Sequence, residues 1–400
     1  MEHSPLRSYG VEEHPGTSGE DGDAKQPSVE GYRLENKNQN VEVENPAIVP
    51  NLTSVEESSS MDSLTWLRLL TETCEQHVRI LAAGDVLLKG FGQVIFCESC
   101  VTGLLFFAAL FVTDIWLGLF GLAGCVGGSL TAFVSGFDAD FVRKGLAGYN
   151  GVLVGCCFAV FLKPDGQPPW RTLAATLLGS IVQAFVTVSI GSMSNMPAWT
   201  FPFNLVALAT LLTSQPLDHA SAKQIDPALW SQVALSDVLA GVSRGTSQIF
   251  LASHWASGIL VIVGAAWHSP VMAGSLVLAS GIGFLAAFLM EAPTDQAVAG
   301  LWGFNPALVA AAVYHFFELN VHSATLMVWS ALATAVLASG MTAAVSRSFL
   351  VPAGTLPFCI MATLVFQLVG KVRGYRKRCL RGRSFVEACA ACARTNVELE

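Results

Sequence analysis

Residues 90–213 recur as residues 245–368, shifted by a constant 155 positions. Gln93 meets Gln248, Gly103 meets Gly258, and Phe133 meets Phe288. Gly145-Leu146 meets Gly300-Leu301, Gly148-x-Asn150 meets Gly303-x-Asn305, and Leu153 meets Leu308. Thr200-x-Pro202-Phe203 meets Thr355-x-Pro357-Phe358. A single offset held by so many small and polar positions marks a duplicated unit. The unit is strongly apolar: the chain is 52% hydrophobic and 13% charged, where a soluble domain carries about 25% charged residues. The duplication therefore belongs in a membrane. Internally repeated membrane proteins commonly place a substrate path where the halves meet, so the matched polar residues are the first candidates for chemistry.

Charge is unevenly spread. Residues 1–60 hold twelve Asp/Glu against four Lys/Arg, so their net charge of −8 equals that of the whole chain. This Ser-, Glu-, Asn- and Gly-rich stretch cannot bury enough apolar area to offset ordering entropy and reads as a disordered acidic tail. The neutral remainder gives nucleic acid no footing. The start shows no cleaved signal pattern. The expected organisation is a first transmembrane repeat over 65–213, an outer bridge over 214–236, a second repeat over 237–370 and a tail over 371–400. An amphipathic stretch, 64–88, adds an interfacial or spanning helix.

Each repeat shows five apolar stretches, near 90–112, 115–135, 145–162, 172–192 and 198–213, then 245–267, 269–290, 298–317, 323–345 and 351–370. Most are long enough to cross about 30 Å of hydrocarbon as helix. The last of each opens on Thr-x-Pro-Phe, three residues after Pro197 or Pro352. Proline suits a first helical turn and breaks a later one, so this segment reads as a re-entrant half-helix. Irregular backbone at membrane depth survives only when buried in protein or lining a polar cavity. Seven bases lie between Lys371 and Arg383, which puts the C-terminus in the cytoplasm. Arg68, Arg79 and Lys89 put the N-terminal side there too. Five spans per half then force inverted topology. The expected fold is an all-α polytopic membrane protein of two inverted repeats. The sequon at Asn51 would lie in the cytoplasm, unused.

Charged residues near the spans, among them Glu98, Asp114, Asp138, Asp140, Arg143, Lys144, Arg244, Glu291 and Asp295, fall mostly at loops. No matched carboxylate or base sits mid-segment, as ion-coupled carriers require, so the path suits a neutral solute. The repeated polar residues are Gln93 and Gln248, and Thr200 and Thr355. A buried amide without partners costs several kcal/mol, so a matched pair needs internal hydrogen bonds or a polar ligand. Helix packing is the plainer account of the glutamines, and back-bonding to the helix that of the threonines. Asn150 and Asn305 can bridge backbone groups freed at a break, and Pro202 and Pro357 mark those breaks. Tyr149 and Leu153, like Phe304 and Leu308, share a helical face. Two such faces opposed would form a flat apolar slot for a thin planar molecule.

Other motifs carry less. Cys97-Glu-Ser-Cys100 has redox spacing, but its setting favours small buried hydrophobes. Cys379, Cys389 and Cys392 are palmitoylation candidates. Asn45-Pro-Ala and Asn305-Pro-Ala do not match through the repeat and are chance. His254, His268, His315 and His322 are unpaired by it. No metal, cofactor or catalytic residue set is visible, so an enzyme is not expected.

The repeated blocks resemble the urea transporter family of eukaryotes and bacteria. The likeness spans about residues 65–370 and rests on Phe91-Gly-Gln93-Val-Ile-Phe96, Gly145-Leu-Ala-Gly-Tyr-Asn-Gly-Val-Leu153, Thr200-Phe-Pro-Phe-Asn204, Ser247-Gln-Ile249, Leu301-Trp-Gly-Phe-Asn305 and Thr355-Leu-Pro-Phe-Cys359. It implies ten spanning helices, two half-helices, a homotrimer in the plasma membrane, and one urea-conducting pore per subunit without cofactors. It implies that Gln93 and Gln248 meet urea amides near the mouths. Tyr149, Leu153, Phe304, Leu308 and Phe96 would wall the slots, and Thr200 and Thr355 would offer hydroxyls in the middle. Phe96 has Leu251 as its partner, which loosens one mouth, and Tyr149 is more polar than Phe. A channel for glycerol, ammonia or water is the rival within transport, and a scaffold with a vestigial pore the rival outside it.

Overall fold

The computed structural model describes residues 81–162, 169–193, 196–214, 230–368 and 376. The acidic tail, most of the bridge, the basic flank apart from Arg376, the sequon and the tail cysteines lie outside these residues. All regular structure among the described residues is helical. Helix α1 covers residues 81–93. After it come α2 (Cys100–Thr113), α3 (Ile115–Val134), the short α4 (Ala139–Arg143), α5 (Tyr149–Phe161), α6 (Trp170–Met193) and α7 (Phe201–Ser214). The second half runs α8 (Leu235–Ser247), α9 (Trp255–His268), α10 (Pro270–Leu289), α11 (Thr294–Val298), α12 (Phe304–Phe316), α13 (Val321–Phe349) and α14 (Leu356–Gln367). A shift of 155 positions carries the bounds of α2, α3, α4 and α5 onto those of α9, α10, α11 and α12.

Caps repeat even where their chemistry changes. Asp114 Oδ1 accepts from Trp116 N and Leu117 N at the start of α3. Its mate Ser269 caps α10, with Pro270 in the first turn. Ser99 caps α2, and His254 Nδ1 accepts from Ala256 N to cap α9. Each satisfies amides that a helix start leaves bare.

Of these helices, α3, α6, α10 and α13 are each long and apolar enough to cross a membrane, and α8 with α9 counts as a fifth if the bent pair is one span. Helices α2, α5, α7 and α14 are shorter apolar segments. The stretches 90–112 and 245–267, continuous in hydropathy, are each broken. Phe96 and Leu251 turn the chain with φ of 59° and 58°. The bend between the α8 side and α9 is 74°. Each break is closed by matched backbone bonds, Phe96 N to Gln93 O at 3.1 Å and Leu251 N to Gln248 O at 3.0 Å.

The halves meet along α2 and α9, and again along α7 and α14. Within each repeat, the close approach of α1 to α2 and of α8 to α9 needs glycine. A Cβ on Gly103 would stand 1.7 Å from Leu88 O, and one on Gly258 would stand 2.0 Å from Ser243 O. In lipid, such small-residue packing replaces the hydrophobic drive between helices. The larger apolar core draws on both halves, a smaller one gathers around Phe284, and large apolar side chains such as Leu130, Phe133, Leu178, Val182 and Trp329 stay exposed.

Candidate functional site

Thr200 precedes α7 and Thr355 caps α14. Both are buried, at 2% and 4% exposure, and their hydroxyls are joined at 2.6 Å. Two residues 155 positions apart in sequence thus touch at the centre, and α7 and α14 meet there by their N-terminal ends. Each N-terminus carries a partial positive charge, so the centre is an unfavourable place for a cation. Pro202 and Pro357 sit buried in the first turns, where their missing N–H groups leave no bond unmade.

Asn204 ties the pair together. Its Nδ2 donates to Thr355 Oγ1 and to Thr200 O, each at 2.8 Å. Its Oδ1 accepts from Thr355 N at 3.0 Å. Cys359, the repeat mate of Asn204, lies 3.1 Å from the Thr200 hydroxyl. An Asn facing a Cys through the repeat makes no matched polar pair, so neither stands out in the sequence as the threonines do.

The glutamines repeat their geometry. Gln93 Nε2 donates to Lys144 O at 2.9 Å, and Gln248 Nε2 donates to Ala299 O at 3.0 Å. Each amide spends one donor on the loop before the Asn block, which leaves its oxygen and second N–H for other partners. The asparagines repeat too. Asn150 Nδ2 donates to Trp199 O and Asn305 Nδ2 to Gly354 O, at 3.3 and 3.2 Å. Each ties the start of α5 or α12 to the loop ahead of α7 or α14.

The two sides then diverge. Tyr149 OH donates to Trp199 O at 2.5 Å, so that carbonyl has two donors. Phe304 has no hydroxyl to offer Gly354 O. Asn305 Oδ1 accepts from Phe358 N at 3.2 Å, whereas the buried Asn150 Oδ1 has no partner. Phe96 stacks with His315 at 5.5 Å and meets Trp199 edge-on at 6.1 Å.

A cavity of about 1320 Å³ opens on the second-repeat side. Gln248, Leu251, Phe304, Thr355 and Asn204 line it. Gln93, Phe96, Tyr149, Leu153, Thr200 and Leu308 do not; Leu153 and Leu308 are buried at 1% and 0% exposure. Helix α6 explains part of this difference. Its buried Ser180, Gln183 and Thr187 fill the space beside α5, with Gln183 Nε2 donating to Ala147 O and Asn150 Nδ2 donating to Thr187 Oγ1. Their mates on α13 are Ala335, Ala338 and Thr342, which line the cavity.

Charges resolve locally. Lys89 pairs with Asp85 at 2.5 Å, Arg143 pairs with Asp140, and Arg244 donates to Val298 O at 3.0 Å. Among the described residues, no three His, Cys, Asp or Glu side chains could hold a metal. Cys97, Cys100, Cys125, Cys156, Cys157 and Cys359 are free thiols, and all but Cys100 are buried.

Matched threonine hydroxyls thus meet at an uncharged centre, and the amide of Gln248 lines the open cavity beside it. A family model described as urea transporter matches residues 84–370. The urea transporter 1 of Rattus norvegicus is 29% identical over 300 residues, covering 72% of this chain and 78% of the relative. That of Ovis aries is 30% identical over 298 residues, covering 71% and 76%, and that of Mus musculus is 30% identical over 302 residues, covering 72% and 78%. The matched segment takes in both repeats, both glutamines and both threonines, and the chain belongs to the urea transporter family.

Proposed function

We propose that this chain moves urea passively across a membrane through a pore between its two repeats. The observation that carries the pore's position is the Thr200–Thr355 pair, where repeat mates meet at 2.6 Å between the ends of two half-helices. Urea is planar, and its faces suit apolar walls while its N–H groups need acceptors. Phe96, Tyr149 and Leu153 supply walls on one side, and Leu251, Phe304 and Leu308 on the other. Threonine hydroxyls and the Gly354 carbonyl, which among the described residues holds one donor only, supply acceptors, since each unmet donor costs several kcal/mol at membrane depth. Gln93 and Gln248 receive urea at the two mouths. Asn150, Asn305, Pro202 and Pro357 hold the broken backbone in place.

Ions fail because nothing replaces their hydration shell, and the converging N-terminal dipoles oppose cations. We infer inverted topology for the repeats, which the self-packing of α2 on α9 and of α7 on α14 supports. The basic stretch 371–383 supports cytoplasmic termini. Family likeness supports a homotrimer in the plasma membrane, and the exposed apolar faces support contact with lipid.

Stopped-flow light scattering on proteoliposomes tests the reading. Urea should equilibrate fast and glycerol slowly. Urea permeability equal to that of empty vesicles, with folded and inserted protein, would overturn it.

A further inference from the structure

The cavity reaches Gly354 on the second-repeat side, where Cys157, Phe161, Ala207 and Leu211 also line it. The repeat mates of these residues, Trp199, Ala312, Phe316, Ala362 and Phe366, enclose a void of only about 10 Å³. One side chain contributes directly to the difference. The Trp199 ring occupies the volume that Gly354 leaves open, and the residue is 3% exposed. Its ring meets Phe316, Phe358 and Phe366 edge-on at 5.4, 5.9 and 5.8 Å, and Phe96 at 6.1 Å.

The ring and the backbone of Trp199 are held by different forces. The carbonyl takes hydrogen bonds from Tyr149 and Asn150, and the backbone keeps a φ of 49°. The indole Nε1 is buried with no acceptor. Swinging the ring aside therefore breaks no hydrogen bond and loses only edge-to-face packing, while the loop beneath stays latched.

We propose that Trp199 is the constriction of the first-repeat mouth and sets the size limit of the permeating solute. This inference rests on the pore reading above. Urea passes by displacing the ring slightly; an N-substituted urea needs the full width of the indole. With Gly354 in the equivalent place, the second-repeat mouth imposes no such limit.

The test compares urea and 1,3-dimethylurea permeabilities of proteoliposomes holding the wild type, Trp199→Gly, Trp199→Leu or Trp199→Phe. The dimethylurea-to-urea ratio should rise by roughly tenfold or more in Trp199→Gly, a step comparable to reshaping an apolar pocket by a few carbons. Trp199→Leu and Trp199→Phe should fall between, in order of side-chain size. A ratio unchanged in the monodisperse variants would make Trp199 a packing residue outside the path and overturn the inference. If Trp199→Gly does not fold, the Leu and Phe variants decide by the same ratio. Wild-type vesicles that pass no urea would instead overturn the pore reading.

Discussion

At the residue scale, the central hydroxyls carry the most weight for their size. Thr355→Val keeps the shape and removes the hydroxyl that bonds Thr200 and accepts from Asn204. A buried donor left unmet costs about 1–3 kcal/mol, so urea permeability should fall roughly ten- to a hundredfold in stopped flow, with the protein still folded. Asn204→Leu removes the hydrogen bonds to Thr200 O, Thr355 Oγ1, Thr355 N and Cys359 Sγ at once. It should lower the midpoint of thermal unfolding, with a loss of roughly 2–4 kcal/mol for the stranded partners. A midpoint equal to the wild type would mean that the two half-helices do not depend on this bridge. Sequence repetition singled out the threonines but could not single out Asn204, because its mate is Cys359.

At the element scale, the helices cross where glycine permits. Gly103→Ala and Gly258→Ala each drive a methyl into a carbonyl oxygen of the preceding helix of the same repeat. Backbone cannot yield as a flexible side chain does, so each change should cost about 1–3 kcal/mol or more. Gly340 on α13 has nothing within 4 Å of its would-be Cβ. Gly340→Ala should be neutral or stabilise by up to about 1 kcal/mol through helix propensity. Thermal unfolding of the three variants in one detergent checks the contrast; equal midpoints would refute the crossing argument. The breaks at Phe96 and Leu251 were hidden from hydropathy, which registers apolar character and not a left-handed turn inside an apolar run.

At the scale of the whole molecule, the Thr200–Thr355 contact that joins the repeats is uncharged and faces two helix N-termini. Urea movement should therefore generate no current. It should also be unchanged when sodium and proton gradients are dissipated by ionophores. A urea-dependent current under voltage clamp, or uptake that collapses with either gradient, would contradict a passive pore for a neutral solute. Among the described residues the large cavity opens on the second-repeat side, so the halves, which share the helix bounds of α2 to α5, differ in bulk.

The sequence by itself determined the duplication and the apolar class, because both are written in residue types at a fixed spacing, and it held the motifs by which the chain resembles its family. The polar pairs were legible for the same reason. Only the tertiary structure decided that the two threonines touch, that Asn204 clamps them, and that Trp199 fills on one side the space that Gly354 leaves open on the other. Such facts depend on which side chains converge across the repeat interface. Packing between segments far apart in sequence sets that convergence, and periodicity within one segment does not contain it.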